Sequence, residues 1–312
     1  MLSSLLPNSS PRCIRLQVAP SQIARQSVFS NMDFRLDRFI TLYLVSPLQR
    51  LSPGAKPAIP ILMYHSVADQ DESRTPAYYR IATSPAAFAA QMEYLHQSGY
   101  QTCSVTEAID ILKTGSAIED RRVVITFDDG YRDFYLNAFP VLSQFGYSAT
   151  MYLASSFIGD THLQFKGRDC LKWAEIRELQ KYGISFGSHT ATHPQLRDLD
   201  HKSVEKEIVS SKLVIEEKTG NAVDSFAYPY AFPQKDLQFK KILRESLCSA
   251  GYRNGVCTII GRARSGSDPL FTERLPVNSR DDRKLFKAKL SGAYDWLAKP
   301  QAGIKTVKNL IA

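Results

Sequence analysis

Val123-Val124-Ile125-Thr126-Phe127-Asp128-Asp129-Gly130 is a β-branched and aromatic run that stops on two adjacent carboxylates and a glycine. A short apolar run closed by turn residues reads as a buried strand. Neighbouring residues on a regular strand face opposite ways, so Asp128 and Asp129 share a pocket only if the strand ends beneath them, and Gly130 permits that break. Taken alone, the pair suits a turn as well as it suits catalysis. Further on, Gly187-Ser188-His189-Thr190-Ala191-Thr192-His193-Pro194 supplies two imidazoles four positions apart, which would face one way on a helical turn. A lone histidine is usually a satisfied core or surface residue. Two of them plus one carboxylate match a divalent-metal site with positions open for water and substrate. The remaining carboxylate is then free to take that water's proton. Ser188 and Thr190 read as turn or hydrogen-bond partners of this loop, and no serine triad is evident.

Around these motifs, short apolar runs alternate with amphipathic stretches. Strands are predicted at residues 59–64, 102–105, 122–127, 149–153, 184–187, 225–228 and 256–260. Helices are predicted at 85–97 (opened by Ser84 as a cap), 106–113, 136–145, 173–181, 202–219, 237–250 and 281–297. Strands separated by helices pair in parallel by default, and six or seven such units favour a closed barrel over an open doubly wound sheet. The carboxylates, the histidines and Tyr228-Pro229-Tyr230 all fall at strand C-terminal ends, where barrel sites are built, whereas an open sheet would gather its site at one switch point. The fold class is therefore α/β, a barrel.

The 312 residues, 44% of them hydrophobic, are enough for one large core and exclude disorder as the main state. The net charge of +8 is uneven: residues 1–56 hold seven arginines or lysines against two acids. With so little excess on the body, nucleic-acid binding is not expected. Five cysteines without paired short spacing indicate neither a disulfide framework nor a zinc cluster. Residues 1–58 read as an N-terminal extension, partly disordered or forming a peripheral helix. The apolar run from Phe39 to Val45 is far short of the roughly 20 residues that cross a bilayer. A helix lying on the domain explains residues 33–50 more simply than peripheral membrane contact does. Met1 to Arg15 lacks the order of a cleavable signal, so a cytoplasmic or inner-face location is expected. Residues 299–312 read as a tail.

Thr126-Phe127-Asp128-Asp129-Gly130, Ser188-His189-Thr190-Ala191-Thr192-His193-Pro194 and Phe226-Ala227-Tyr228-Pro229-Tyr230, in that order, resemble the first three motifs of the polysaccharide deacetylase family. That family is also called the NodB-homology domain or carbohydrate esterase family four. The helix begun by Trp173 resembles the segment before the second motif. The resemblance implies a distorted (β/α)7 barrel over residues 59–298, with its core at 121–298. It also implies hydrolysis of acetyl groups on sugar polymers of the chito-oligosaccharide, peptidoglycan or exopolysaccharide glucosamine type. Carried over residue by residue, it implies Asp129, His189 and His193 as ligands of one divalent ion, zinc first with cobalt or nickel as options. Asp128 becomes the general base, and the Tyr230 backbone amide an oxyanion donor.

Two departures from the family pattern matter. No histidine follows His201 to act as the usual late general acid, and His65, in Met63-Tyr64-His65-Ser66-Val67 at the first strand's end, is the replacement candidate. Ala227 and Tyr228 stand where the common pattern has arginine and proline. The charge that orients the base must then come from Arg274 or from Arg132, either of which could instead be a surface ion pair. These departures are closer to the branch acting on exopolysaccharide glucosamine polymers than to chitin deacetylases. Tyr131, Tyr228, Tyr230, Phe232 and Trp173 are candidate sugar-stacking aromatics, Tyr230 foremost. The competing functions are an amidase on a small molecule, which the same site would serve, and a non-catalytic carbohydrate-binding protein, against which an intact base argues.

Overall fold

In the computed structural model, which describes residues 35–50, 57–114 and 121–302, seven parallel strands close on themselves. They are β1 (Ile61–Tyr64), β2 (Arg121–Phe127), β3 (Ala149–Leu153), β4 (Ile184–Ser188), β5 (Ser225–Ala227), β6 (Asn254–Ile260) and β7 (Thr272–Pro276). Each pairs in parallel with the next, and β7 closes the ring on β1 through Leu275 opposite Leu62. The fold is the expected seven-stranded barrel, with helices surrounding it.

One of the seven strands differs from those read in the sequence. The predicted strand at 102–105 is instead the short Tyr100–Thr102, which pairs outside the ring on β2. The missing barrel member is β7, Thr-Glu-Arg-Leu-Pro, whose charged pair and proline hide its strand character. Its arginine points inward and is fully buried. The strand predicted to begin at residue 59 is also divided, because Ala58–Ile59 pairs antiparallel with Ala263–Arg264 outside the barrel.

Among the described residues, six helices of eight or more residues cover the barrel: α1 (Pro85–Gln97), α2 (Val105–Lys113), α3 (Trp173–Gln180), α4 (His201–Thr219), α5 (Leu237–Ser249) and α6 (Arg283–Leu290). Their starts follow capping chemistry: Ser84, Ser104, Asp200, Asp236 and Asp282 each accept a backbone N–H of the first turn. α4 ends on Gly220 in the left-handed conformation. The helix predicted over 136–145 begins earlier, as a wide π-turn over Phe134–Ala138 that runs into Phe139–Gln144. A hairpin, Gln164–Phe165 paired with Arg168–Asp169, leans over the rim between β3 and α3.

Residues 36–50 are helical, with a π-turn at Thr41–Val45, and dock on the domain near α6. Arg35 bonds Asp37 and Asp281, Tyr294 donates to Asp37, and the Trp296 indole donates to Thr41. Residues 1–34, most of the expected extension, lie outside the described residues, as does the tail beyond 302. No described helix is long and apolar enough to cross a membrane.

Candidate active site

The motif carboxylates, histidines and Tyr230 converge at the C-terminal rim of the barrel, and the backbone there is unusual. Asp129, Thr190, His193 and Tyr230 have φ of 75°, 68°, 56° and 58°, values that non-glycine residues rarely adopt. Asp129 turns left-handed immediately after β2, and Gly130 follows at φ 72°. This double left-handed step puts both carboxylates in one pocket; a continuing strand would have sent one to each face. A Cβ on Gly130 would also press on Leu153 and Ile158 at 3.1 and 3.0 Å. The histidine loop differs from expectation as well: residues 189–193 are not a helical turn. Two left-handed residues fold the segment back so that both imidazoles meet.

Asp128 is 1% exposed and Arg274 is fully buried. The guanidinium grips the carboxylate with two parallel bonds of 2.7 Å, and its other contacts are Thr126 Oγ1 and the Cys257 carbonyl, both at 3.2 Å. Burial alone would raise the Asp128 carboxyl, but the Arg274 charge overrides it and holds the acid below its ordinary range. Arg132 pairs with Glu175 on α3 at 2.8 Å and takes no part here.

Asp129 Oδ1 lies 3.2 Å from His193 Nε2 and 3.6 Å from His189 Nε2. Ligand atoms of the three residues all fall within 4.8 Å of one another, and all three residues are buried. His189 Nδ1 is 2.7 Å from the Ala227 carbonyl. A carbonyl only accepts, so Nδ1 carries the proton and the Nε2 lone pair faces Asp129. Burial lowers the His189 pKa to about 4, which leaves the ring neutral at pH 7. Asp129 Oδ1 is buried without an aligned hydrogen-bond partner. An ionised carboxylate oxygen and an imidazole lone pair converge there with no proton to join them. That donor set fits a divalent cation.

His65 Nε2 is 3.9 Å from Asp128 Oδ2, with its side chain one-fifth exposed. Burial pushes its pKa down, against the pull of Asp128 and Asp129. Tyr230 lies across the pocket, 45% exposed, its ring edge-on to His193 at 4.6 Å. Its carbonyl accepts from Thr258, while its N–H has no partner among the described residues.

The polysaccharide deacetylase family pattern matches residues 115–254. The Bacillus subtilis (strain 168) protein YxkH, which carries a polysaccharide deacetylase name, is 32% identical over 224 residues, covering 72% of this chain and 73% of its own. The chain belongs to the polysaccharide deacetylase family. The poly-beta-1,6-N-acetyl-D-glucosamine N-deacetylase of Escherichia coli (strain K12) is 28% identical over 139 residues, 41% of this chain and 20% of that longer protein. In fold, the deacetylase PplD of Streptococcus pyogenes, solved with acetate, superposes with a TM-score of 0.64 at 23% identity, covering 76% of this chain and 99% of that one.

In this deacetylase, Asp128, Asp129, His65, His189, His193, Tyr230 and Arg274 share one pocket. Of the proposed sugar-stacking aromatics, only Tyr230 is open to solvent. Tyr131, Tyr228, Phe232 and Trp173 are at most 3% exposed and belong to the core. Several supporting residues escaped sequence reading. Glu207, in the second turn of α4, accepts from the backbone N–H of Ala191 and Thr192 and from the Thr192 hydroxyl at 2.8–2.9 Å, bracing the histidine loop. Asp133 accepts from Ser66 and from the Val67 N–H, holding the segment that carries His65. Both read locally as ordinary helix or turn acids, with nothing in their neighbours to mark the long-range contact.

Proposed function

We propose that this deacetylase is a divalent-metal enzyme that removes N-acetyl groups from a glucosamine-containing polysaccharide. The reading is carried by the buried Asp129–His189–His193 set beside a second carboxylate gripped by Arg274. The activity named for the E. coli relative favours a β-1,6-linked glucosamine polymer as substrate class.

Asp129, His189 and His193 would hold the cation, with zinc the natural fit to nitrogen and carboxylate donors. When bound, it supplies Lewis acidity to the acetyl carbonyl and lowers the pKa of the attacking water. Arg274 fixes Asp128 in its ionised form with one oxygen edge toward the pocket. Asp128 takes the water proton. The Tyr230 N–H, aimed by its left-handed backbone, donates to the oxygen that gains charge during attack. As the carbon–nitrogen bond breaks, the departing amine needs a proton, and we assign its delivery to His65, a reading supported by the 3.9 Å between His65 Nε2 and Asp128.

The test is free acetate released from β-1,6- and β-1,4-linked N-acetylglucosamine oligosaccharides, with chelation and zinc, cobalt or nickel add-back. Chelation should abolish release and one of the metals restore it. Asp128→Asn should lower the rate by about 10²–10⁴-fold. Release untouched by chelation and by the substitution would defeat the proposal.

A further inference from the structure

The hairpin over the rim ends in Lys166-Gly167, with φ of 50° and 75°. A two-residue turn of this kind favours asparagine or glycine at its first position, so a lysine is held there in a disfavoured conformation. Such strain gathers at functional sites. The Lys166 ammonium lies 4.6 Å from the Phe165 ring centre and 5.0 Å from that of Tyr230. Both rings pack on His193, at 5.0 and 4.6 Å. Lys166 is therefore about one sugar unit from the proposed metal ligands. Among the described residues no carboxylate lies within ion-pair distance of it. Arg274, the other cation of the pocket, is buried and neutralised by Asp128. Lys166 thus puts an exposed ammonium without a carboxylate partner at the pocket mouth, on the exposed ring of Tyr230 and beside the cation that Asp129, His189 and His193 would hold.

Each turnover changes the charge of the substrate. Water adds to the acetyl carbon, the carbon–nitrogen bond breaks, acetate leaves, and the nitrogen becomes an amine that binds a proton near neutral pH. A unit already processed is then cationic, while its acetylated neighbours are neutral. We propose that Lys166 is a specificity residue that disfavours placing an already deacetylated unit beside the reacting one, so that free amines are introduced singly along the chain. The inference rests on the functional reading above. At a separation of roughly 10 Å, with the ammonium exposed, the repulsion is worth about two-fold at low salt in the rate of cleaving next to a free amine.

The experiment follows the full chain, loaded with the metal that supports activity, on fully acetylated β-1,6- and β-1,4-linked glucosamine pentasaccharides. Products at partial conversion are sequenced by mass spectrometry. The readout is the ratio of adjacent to isolated free amines for the wild type, Lys166→Met and Lys166→Glu. Lys166→Met keeps an apolar stem over the two rings, so it separates packing from charge. The ratio should rise from wild type to Lys166→Met and again to Lys166→Glu, and the differences should shrink in 0.5 M salt, about where screening reaches a few ångströms. A ratio that is equal in all three proteins, or that shifts without salt dependence, overturns the inference while leaving the functional reading standing. Absence of acetate release from every oligosaccharide by the wild type overturns both.

Discussion

Arg274→Met is the perturbation that most sharply tests how the site is held. The wild-type guanidinium makes two charge-assisted bonds of 2.7 Å to Asp128 and longer ones to Thr126 and Cys257, all out of water. Methionine keeps the apolar stem but leaves an ionised carboxylate buried without its counter-charge. Breaking a buried pair from one side costs about 3–5 kcal/mol. That is a large share of the 5–15 kcal/mol that typically separates folded from unfolded states. Urea unfolding should therefore show a sharply lower midpoint. Arg132→Met, which removes the 30% exposed partner of the buried Glu175, should cost less, about 1–3 kcal/mol, because Glu175 keeps the Lys172 N–H as a donor. A double-mutant cycle closes the argument: with Asp128→Asn also present there is no buried anion to strand. The double variant should then fall short of the sum of the single losses by about 1–3 kcal/mol. If Arg274→Met costs no more than Arg132→Met, or the two losses simply add, Arg274 does not neutralise Asp128 and the account of the base is wrong.

Glu207→Ala deletes three hydrogen bonds that brace residues 191–192, so calorimetric zinc affinity should fall by about 10–100-fold and the metal-free protein should lose about 1–3 kcal/mol of stability. Unchanged affinity would mean that the loop holds its shape unaided. Gly187→Ala places a Cβ 2.5 Å from the Tyr152 ring and 2.8 Å from the Ser225 carbonyl. Neither ring nor backbone has room to retreat, so a loss of about 1–3 kcal/mol in urea unfolding is expected, and a neutral result would show that β4 and β5 are less closely apposed. Burial opposes ionisation of Asp37, but its bonds to Arg35 and Tyr294 prevail and hold the carboxyl below its ordinary 3.8. A depressed pKa stabilises the docked helix above that pH and loses the contribution as pH falls through the folded value. Hydrogen-exchange protection in residues 36–50, taken relative to the intrinsic rate at each pH, should fall below pH 3.8 before that of the barrel strands; simultaneous loss would contradict the assignment.

The barrel was legible because six of its strands are apolar runs with punctuation at both ends, and because the motifs sit at strand ends. β7 was not. Its inward arginine finds its counter-charge in Asp128, whose position is 146 residues away in the chain, so its local pattern reads as polar. The ligand set was legible as residue types at a spacing, yet the reason first given for the spacing was incorrect. The i, i+4 periodicity of a helix would align two imidazoles, but the chain achieves the same meeting with Thr190 and His193 in left-handed conformations. Backbone handedness at threonine and histidine leaves no trace in composition, unlike handedness at glycine. Glu207 and Asp133 were invisible for a related reason: their work is done on backbone N–H groups, which every residue carries.

The left-handed residues give the site its character. Five described non-glycine residues have positive φ, and all five, Asp129, Lys166, Thr190, His193 and Tyr230, line this pocket or its rim. Each such residue costs about 1–2 kcal/mol relative to ordinary backbone, so the rim carries strain that the rest of the barrel must offset. The compensation is visible beneath them. Thr190 Oγ1 accepts the His193 N–H, Ser188 bonds Ser211 on α4, Glu207 clamps the intervening amides, and the Arg274–Asp128 pair locks the floor. A relaxed rim would let Asp129 and the imidazoles separate toward solvent. Held as they are, the Asp129 carboxylate and the His189 Nε2 lone pair face one another with no proton between them, and binding a cation removes a repulsion that folding has already imposed.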